Sequence, residues 1–361
     1  MTRYRSYGVL ACGGLLLVLT GIGLYAQHHD RLAAFIAAAL VQGAVYLAAA
    51  LLVWHRGGLG RGSLIAVLAI AAAMRLAVLA APPYLSTDIY RYIWDGRVTA
   101  AGINPYRYIP TDPQLEHLRD PEIFPEINRN NYAPTIYPPL AQLIFLVVTR
   151  ISETVTAMKA AMVVFEAVAI VLLLQLLAAA RLPAERIVIY AWHPLPLWEF
   201  AGSGHIDAAM LMLVVLALWS RRRFDASLTG LALAGAVLVK LYPAVLFPAL
   251  FRRWDWRTPA AFLGLIALAY LPFLGVGWGV LGFLPGYVAE EGFTGTGAGF
   301  YLWSLVQAIS PFGRLPVFVY IAAAMLALAA RPSPGQRACQ AAAATYGARS
   351  GSSLYRRCHP S

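Results

Sequence analysis

The sequence predicts an all-α protein, a polytopic bundle of transmembrane helices with a large extracytoplasmic loop that carries short amphipathic helices. Of the 361 residues, 60% are hydrophobic and only 12% are charged, whereas roughly 25% are charged in a soluble globular protein. Apolar runs of about 15 to 25 residues recur along the chain, and roughly 20 residues cross a bilayer as a helix. One polar stretch, residues 83–135, interrupts these runs.

The apolar runs are the candidate membrane helices. The first of them follows Arg3 and Arg5 and lacks a convincing small-x-small cleavage site. We therefore expect a retained first helix rather than a removed signal peptide. The runs lie near residues 8–25, 33–54, 63–82, 136–149, 160–180, 186–200, 206–219, 227–251, 259–275 and 315–330.

Basic residues at the ends of the runs predict the topology, because cytoplasmic loops carry an excess of Lys and Arg. Arg3 and Arg5 place the N-terminus in the cytoplasm, residues 28–31 then fall outside, and residues 55–61 return inside. The third run therefore delivers residues 83–135 to the outer face.

The middle of the chain keeps this topology only if one apolar run fails to cross. If every run crossed once, the three arginines at 221–223 would emerge outside, against the positive-inside rule. The run 186–200 is the candidate, because it is short and contains two prolines and a glutamate. A broken helix at membrane depth indicates a site. The run 227–251 is predicted to bend near Lys240.

The chain divides into two parts of different character. Residues 1–330 are predicted to form the membrane module, with its catalytic loop at 83–135. The polar and Arg-rich residues 331–361 are predicted to form a disordered or aberrant cytoplasmic tail. Glu290 and Glu291 precede the glycine-rich stretch GFTGTGAGF, which suggests a flexible outer loop.

The charge and the cysteines argue against other classes of protein. The net charge is +11, but arginines cluster at the ends of apolar runs, which favours membrane topology over nucleic-acid binding. Cys12, Cys339 and Cys358 show neither metal-ligand spacing nor a disulfide framework. We therefore expect the lipid bilayer as a partner and no nucleic acid.

Four polar residues of the loop are spaced to share one face of a helix. Asp88, Arg91, Tyr92 and Asp95 stand at i, i+3, i+4 and i+7. A stripe of acid, base, phenol and acid suits a catalytic site. Its position alone favours an amphipathic helix at the bilayer surface, in which the acids and the arginine are merely paired.

A second group of ionisable residues lies within or beside later apolar runs: His193, Glu199, His205, Asp207 and Lys240. Ionisable groups in membrane segments are costly and usually face a cavity, a pathway or a partner. A lone histidine there is more often a hydrogen-bonded structural residue, and His205 with Asp207 could cap the helix that begins near residue 206. Five such positions in three neighbouring segments favour a site.

The order of several short motifs resembles a known superfamily. SxDxYRYxWDG, GxNPYxYxP, TxYPPxxQ, HPL, GHxD and KxYP follow one another within about residues 63–275. This order resembles the C-type (GT-C) membrane glycosyltransferases, most closely the bacterial polyprenol-phosphate-mannose-dependent mannosyltransferases and their family-87-like relatives. The resemblance implies transfer of a hexose, mannose, from a polyprenyl-phosphate sugar donor to a glycan or glycolipid acceptor at the bacterial plasma membrane.

The resemblance also implies roles for individual residues. Asp88 matches the catalytic carboxylate of that superfamily, which makes it the expected general base of an inverting displacement. The departing lipid phosphate needs positive charge, for which Arg91, Arg97 and Lys240 are the candidates. The remaining expected substrate-binding residues are Tyr92, Asp95, Tyr137, His193, Glu199, His205 and Asp207.

Structural alternatives accompany these assignments. Asp95 could serve as the partner of Arg91 rather than hold the sugar, and Tyr137 could be an interfacial anchor. No metal site and no certain cofactor are predicted, because Asp88 and Asp95 form no tight DxD cluster. A bound divalent cation is possible but not required.

Two other functions stay open from the sequence. A transporter or flippase would use buried ionisable groups and broken helices equally well. Against it, no internal inverted repeat is visible, and the acids concentrate in an outer loop. The second alternative is an inactive subunit that partners an active enzyme. The donor sugar, the acceptor and the number of crossings are undecided at this stage.

Overall fold

A computed structural model describes residues 2–54, 61–252 and 254–290, and none of these residues lies in a β-strand. Residues Met1–Pro285 form one compact unit, and Gly286 begins a second. The predicted all-α class is confirmed. The helices are α1 (Thr2–His28), α2 (Leu32–Trp54), α3 (Arg61–Leu79), α4 (Asp88–Ala100), α5 (Pro139–Ile151), α6 (Val155–Ala179), α7 (Val188–Ala191), α8 (Pro194–Pro196), α9 (Asp207–Arg222), α10 (Ala226–Val239), α11 (Phe247–Leu250), α12 (Arg257–Tyr270) and α13 (Leu284–Glu290).

Several helices of the described ranges are long and apolar enough to cross a bilayer. The protein is therefore a multi-pass membrane protein, as its hydropathy predicts. Five such segments are Ser6–His28, Leu32–Trp54, Gly62–Leu79, Val155–Ala179 and Arg257–Glu290.

Two predicted runs form shorter apolar helices. The run 136–149 corresponds to α5 and the run 227–251 to α10, with 13 and 14 residues, fewer than the roughly 20 that span a bilayer. The predicted run 315–330, the GFTGTGAGF loop and the tail 331–361 lie outside the described residues.

The run 186–200, expected to be a broken helix, consists of short pieces. A 3₁₀ turn (Ala184–Ile187) leads into α7, α8 follows, and a π-helix (Leu197–Gly202) precedes α9. Pro194 and Pro196 explain the interruption, because proline lacks the N–H that a continuous helix requires. π-helical turns are rare in proteins, and those that do occur are frequently found at functional sites.

The run 227–251 bends at Lys240, as expected. Helix α10 ends at Val239, and Lys240 has an extended backbone with φ −146° and ψ 141°. A 3₁₀ turn (Tyr242–Leu246) follows and leads into α11. The bend brings the Lys240 side chain to Asp207, at the start of α9.

Two tryptophans anchor the broken segment to the N-terminal helices. The rings of Trp192 and Trp198 lie against Gly13 and Gly23 of α1, where an added Cβ would come within 2.7 Å of either ring. Trp198 Nε1 donates to Gln42 Oε1 at 2.8 Å, and Trp192 Nε1 donates to a carbonyl of α3 at 2.9 Å. Buried indole N–H groups need such partners. Helices α1 to α3 thus hold the broken segment in place.

A buried ion pair joins α3 to α6. Arg75 Nε and Nη2 donate to the two Glu166 oxygens at 2.8 and 2.6 Å. Arg75 Nη1 also donates to the carbonyls of Ala71 and Ala191, and Tyr190 OH donates to Glu166 Oε1. A buried pair offsets its desolvation cost only when its geometry is good and its remaining atoms are bonded. This pair meets both conditions.

Breaking this pair should destabilise the protein strongly. Arg75→Met leaves the Glu166 carboxylate buried without its partner, which costs about 3–5 kcal/mol. The double variant Arg75→Met/Glu166→Met should lose less stability, because it leaves no uncompensated buried charge. The measurement is the thermal unfolding midpoint of the detergent-solubilised protein.

Glu153→Gln is the matched control for this prediction, because it removes an ion pair with Arg97 in which Glu153 is 44% exposed. An exposed pair contributes only about 0–1 kcal/mol. Equal midpoints for Arg75→Met and Glu153→Gln would contradict the stabilising role of the buried pair.

Candidate active site

Asp88 opens helix α4 and remains partly accessible, whereas most of the helix is buried. The Asp88 N–H donates to Ser86 Oγ at 3.2 Å, and Asp88 is half-buried. Arg91, Tyr92 and Asp95 are all buried. The polar face of α4 therefore packs inside the protein and does not lie on the bilayer surface. Of the four residues in the predicted stripe, Asp88 is the accessible one.

The Asp88 carboxylate is held by two neutral donors. Asn128 Nδ2 donates to Asp88 Oδ1 at 2.6 Å, and Tyr137 OH donates to Asp88 Oδ2 at 3.4 Å. Neither of these two partners is a cation, so both orient the carboxylate through neutral hydrogen bonds. A fixed, half-exposed carboxylate of this kind can accept a proton from a bound hydroxyl group.

Arg91 and Asp95 form a buried pair that docks the end of the loop onto α4. Arg91 Nε donates to Asp95 Oδ1 at 2.8 Å, and Arg91 Nη1 donates to the Ala133 carbonyl at 3.1 Å. Asp95 Oδ2 accepts from Thr135 Oγ1 at 2.5 Å and from Gln142 Nε2 at 3.2 Å. The structure thus supports the pairing alternative for Asp95, and a role of either residue in substrate binding stays a prediction.

Arg97 is engaged by protein groups on several sides. Arg97 Nε donates to Glu153 Oε2 at 2.8 Å, Nη1 donates to the Leu118 carbonyl at 2.9 Å, and the guanidinium forms an ion pair with Asp120. These contacts tie α4 to the loop and to the α5–α6 connection. The predicted contact of Arg97 with the donor phosphate would compete with these contacts.

Tyr92 lies between Asp88 and a second charged region. Burial and then the negative charges of Asp88 and Asp207 raise the pKa of Tyr92 well above its usual value. Its ring meets the Tyr137 ring edge-on, with centroids 5.0 Å apart, and stacks on Phe145 at 4.5 Å. Asp88 and Asp207 therefore both lie close enough to act on one buried phenol.

A cavity of 370 Å³ lies where the broken segment meets α9 and the bend after α10. It contains four of the ionisable residues predicted from the sequence: Glu199, His205, Asp207 and Lys240. The remaining lining is mostly apolar, as in many small-molecule sites. The residues that line it are Leu195, Pro196, Glu199, Phe200, His205, Asp207, Met210, Leu211, Lys240 and Tyr242.

The charges of this cavity are paired with each other. Lys240 Nζ lies 2.6 Å from Asp207 Oδ2, and Tyr242 OH donates to Asp207 Oδ1 at 3.2 Å. His205 Nδ1 lies 3.1 Å from Glu199 Oε2, while His205 Nε2 has no hydrogen-bond partner among the described residues. The cavity is therefore lined by one ammonium group, that of Lys240, which already has a carboxylate partner.

The structure separates other candidates from this cavity. The capping alternative for His205 and Asp207 is wrong, because the residue before α9 is Ile206 and makes no side-chain cap. His193 does not line the cavity. Instead, its Nδ1 accepts from the Leu195 N–H at 3.1 Å and its ring packs against Tyr46.

Several important residues were missed at the sequence level. Asn128 gave no signal, because an asparagine in a polar loop is unremarkable. Lys159, Arg75 and Glu166 did give one, since each is a charge within or directly beside an apolar run. Lys159 is 0% exposed, and its Nζ donates to the carbonyls of Val78 at 3.0 Å and Ala81 at 2.5 Å, at the end of α3.

The described part of the chain contains no preformed metal site. No group of three or more His, Cys, Asp or Glu residues there is placed to hold a metal ion. The carboxylates of the cavity already contact Lys240, Tyr242 and His205.

The fold defines a class: an all-α, multi-pass membrane protein in which a loop helix begins with an oriented carboxylate. The family model of the MptA_B family, described as "Alpha-(1->6)-mannopyranosyltransferase, N-terminal domain", matches residues 6–255, well over half of the chain. The chain belongs to this family, which confirms the resemblance to GT-C mannosyltransferases. No curated protein and no solved structure matches it.

Removing the Asn128 amide should impair catalysis more than stability. A hydrogen bond to a charged group contributes about 1.5–3 kcal/mol, so Asn128→Ala should lower kcat for mannosyl transfer by about tenfold or more. Initial rates in membranes at saturating donor measure this effect. Asn131→Ala, which removes an exposed asparagine three residues away, should leave kcat unchanged. Equal kcat values for the two variants would contradict an orienting role of Asn128.

Proposed function

We propose that the protein is an inverting mannosyltransferase that takes mannose from a polyprenyl-phosphate-linked donor at the extracytoplasmic face of the bacterial plasma membrane. The acceptor is a glycan or glycolipid, and the family description favours an α-(1→6) linkage. One observation carries the proposal: an accessible Asp88 carboxylate is oriented by Asn128 and Tyr137, and Tyr92 is close to both Asp88 and the cavity residue Asp207.

Asp88 is the general base in this proposal. Direct displacement inverts the anomeric carbon, and it needs a base that removes the proton of the acceptor hydroxyl group as the new bond forms. Asp88 Oδ1 and Oδ2 each accept one bond from a neutral donor, and each oxygen has a second lone pair for the hydroxyl. The fixed position of the carboxylate also holds the acceptor in line with the sugar.

The cavity is the proposed place of the sugar phosphate. As the glycosidic bond breaks, negative charge builds on the departing lipid phosphate, and a preorganised donor stabilises this charge best. Lys240 Nζ is such a donor. Glu199 holds the His205 ring at the wall of the cavity through Nδ1.

A lipid-linked donor follows from the proposed topology. The positive-inside rule places the loop 83–135 outside, and soluble nucleotide sugars are cytoplasmic. A donor embedded in the bilayer would reach the cavity from the side. Exposed apolar residues near its mouth, Leu195 and Tyr242 at 61% and 59% exposure, suit contact with a lipid chain.

The transporter and the inactive subunit remain the competing functions. Both can bind a lipid-linked sugar, but neither forms a glycosidic bond. Membranes that contain the protein should therefore transfer radiolabelled mannose from polyprenyl-phosphate mannose to an endogenous acceptor. Transport without transfer would favour the transporter, and binding without transfer would favour the inactive subunit.

Replacing the base should abolish transfer and spare binding. A general base contributes at least about 100-fold, so Asp88→Asn should lower kcat by that factor or more. The donor Kd should change little, because the amide keeps the shape of the side chain. Glu122→Gln, which alters an exposed acid of the same loop, is the control. Full activity of Asp88→Asn would overturn the proposed mechanism.

The role of Lys240 can be separated from its pairing with Asp207. Lys240→Met should raise the KM for the lipid donor by about tenfold or more, because a charge-assisted hydrogen bond to phosphate is lost. Lys240→Met/Asp207→Asn removes both charges of the pair. If the lysine only neutralises Asp207, the double variant should recover normal KM. If the lysine binds phosphate, the double variant should stay impaired.

A further inference from the structure

A cationic surface lies at the α9–α10 turn and the α11–α12 connection, away from the residues assigned to transfer. Helix α10 packs against both α9 and α12, which brings the two connections together. The turn and the connection contribute five described arginines: Arg221, Arg222, Arg223, Arg252 and Arg257.

Two of these arginines are held close to each other by the protein. Arg221 Nε donates to the Leu250 carbonyl at 2.7 Å. Arg252 lies over the Phe224 ring at 4.4 Å from the centroid. Burial and then the positive charge of Arg252 lower the pKa of Arg221, as expected for like charges that are close. An anion between the two guanidinium groups would relieve this repulsion.

The nearby carboxylates do not neutralise the surface. Asp225 Oδ1 accepts from the Leu228 N–H and caps α10. Asp255 Oδ1 and Oδ2 accept from the Arg257 N–H and from Thr258 Oγ1, at the start of α12. Neither acid forms an ion pair with an arginine in the part of the chain that the structure describes. The charge of Asp255 favours the charged form of Arg221 and offsets part of the repulsion from Arg252. Five described arginines against these two acids still leave the surface positive, and this charge is available to an external partner.

Exposed aromatic rings accompany the arginines. Phe224, Trp254 and Trp256 are 73%, 86% and 71% exposed. Tryptophans are enriched where membrane proteins meet the lipid headgroups, because their rings suit a region with one apolar and one wet side. Exposed tryptophans beside arginines at helix ends therefore mark a surface at headgroup level.

We propose that this surface binds an anionic phospholipid, with the headgroup phosphate between Arg221 and Arg252. Guanidinium groups match the geometry of phosphate oxygens and bind them with paired hydrogen bonds. The aromatic rings would lie beside the glycerol and upper acyl region of the same lipid. This inference does not depend on the identity of the base or of the sugar donor.

The test compares lipid retention by the full chain in nanodiscs. The protein is reconstituted in phosphatidylcholine with or without phosphatidylglycerol, and retained lipid is counted by native mass spectrometry. The wild type should retain phosphatidylglycerol selectively. A basic residue near an anionic surface contributes about 1 kcal/mol, so Arg252→Gln should weaken retention about fivefold, and Arg221→Gln/Arg252→Gln more strongly.

Control variants keep the outcomes distinct. Arg107→Gln removes an exposed arginine of the loop 83–135 and should leave retention unchanged. Arg252 contacts an exposed ring, so Arg252→Gln should still fold. This single variant therefore tests the proposal even if the double variant, which also loses the Arg221–Leu250 hydrogen bond, folds poorly. Three results would each overturn the proposal. They are equal retention of both lipids by the wild type, wild-type retention of phosphatidylglycerol by Arg252→Gln, and complete displacement of the lipid by inorganic phosphate.

Discussion

The active-site loop depends on the buried ion pair between Arg91 and Asp95. The two residues lie one turn apart on α4. The atoms that they do not use for each other form hydrogen bonds: Arg91 Nη1 with the Ala133 carbonyl, and Asp95 Oδ2 with the Thr135 hydroxyl and the Gln142 amide. The pair therefore fastens the returning end of the loop to the helix that carries Asp88. Truncating either partner would leave a buried charge without its counterion, which is costly. The hydrogen bond from Tyr137 to Asp88 exists because this attachment brings the two segments together.

The protein treats its carboxylates in different ways, and the difference suggests their roles. Asp95 and Glu166 are buried and bonded to arginine, as structural acids are. Asp207 is paired with Lys240 but lines a cavity. Asp88 is half-buried, and its partners among the described residues, Asn128 and Tyr137, are neutral donors. A half-exposed carboxylate in a fixed position is open to a bound hydroxyl group.

Much of the fold follows from hydropathy, whereas the pairing within the site does not. Apolar runs predicted the long helices, and prolines predicted the breaks in 186–200. The spacing of Asp88, Arg91, Tyr92 and Asp95 identified one helix face, but could not show that most of it is buried.

Lys240 and Asp207 are 33 positions apart, and Asn128 is 40 positions from Asp88. Such contacts depend on how the helices pack and leave no periodic signal in the sequence. The same packing gives the ammonium of Lys240 a carboxylate partner before any substrate arrives. In the proposed reaction the donor is a phosphodiester with one negative charge, and the spent carrier is a monoester that gains further charge and so attracts a cation more strongly. A neighbouring carboxylate acts as a tethered competitor for that cation, which would hasten departure of the carrier and limit product inhibition.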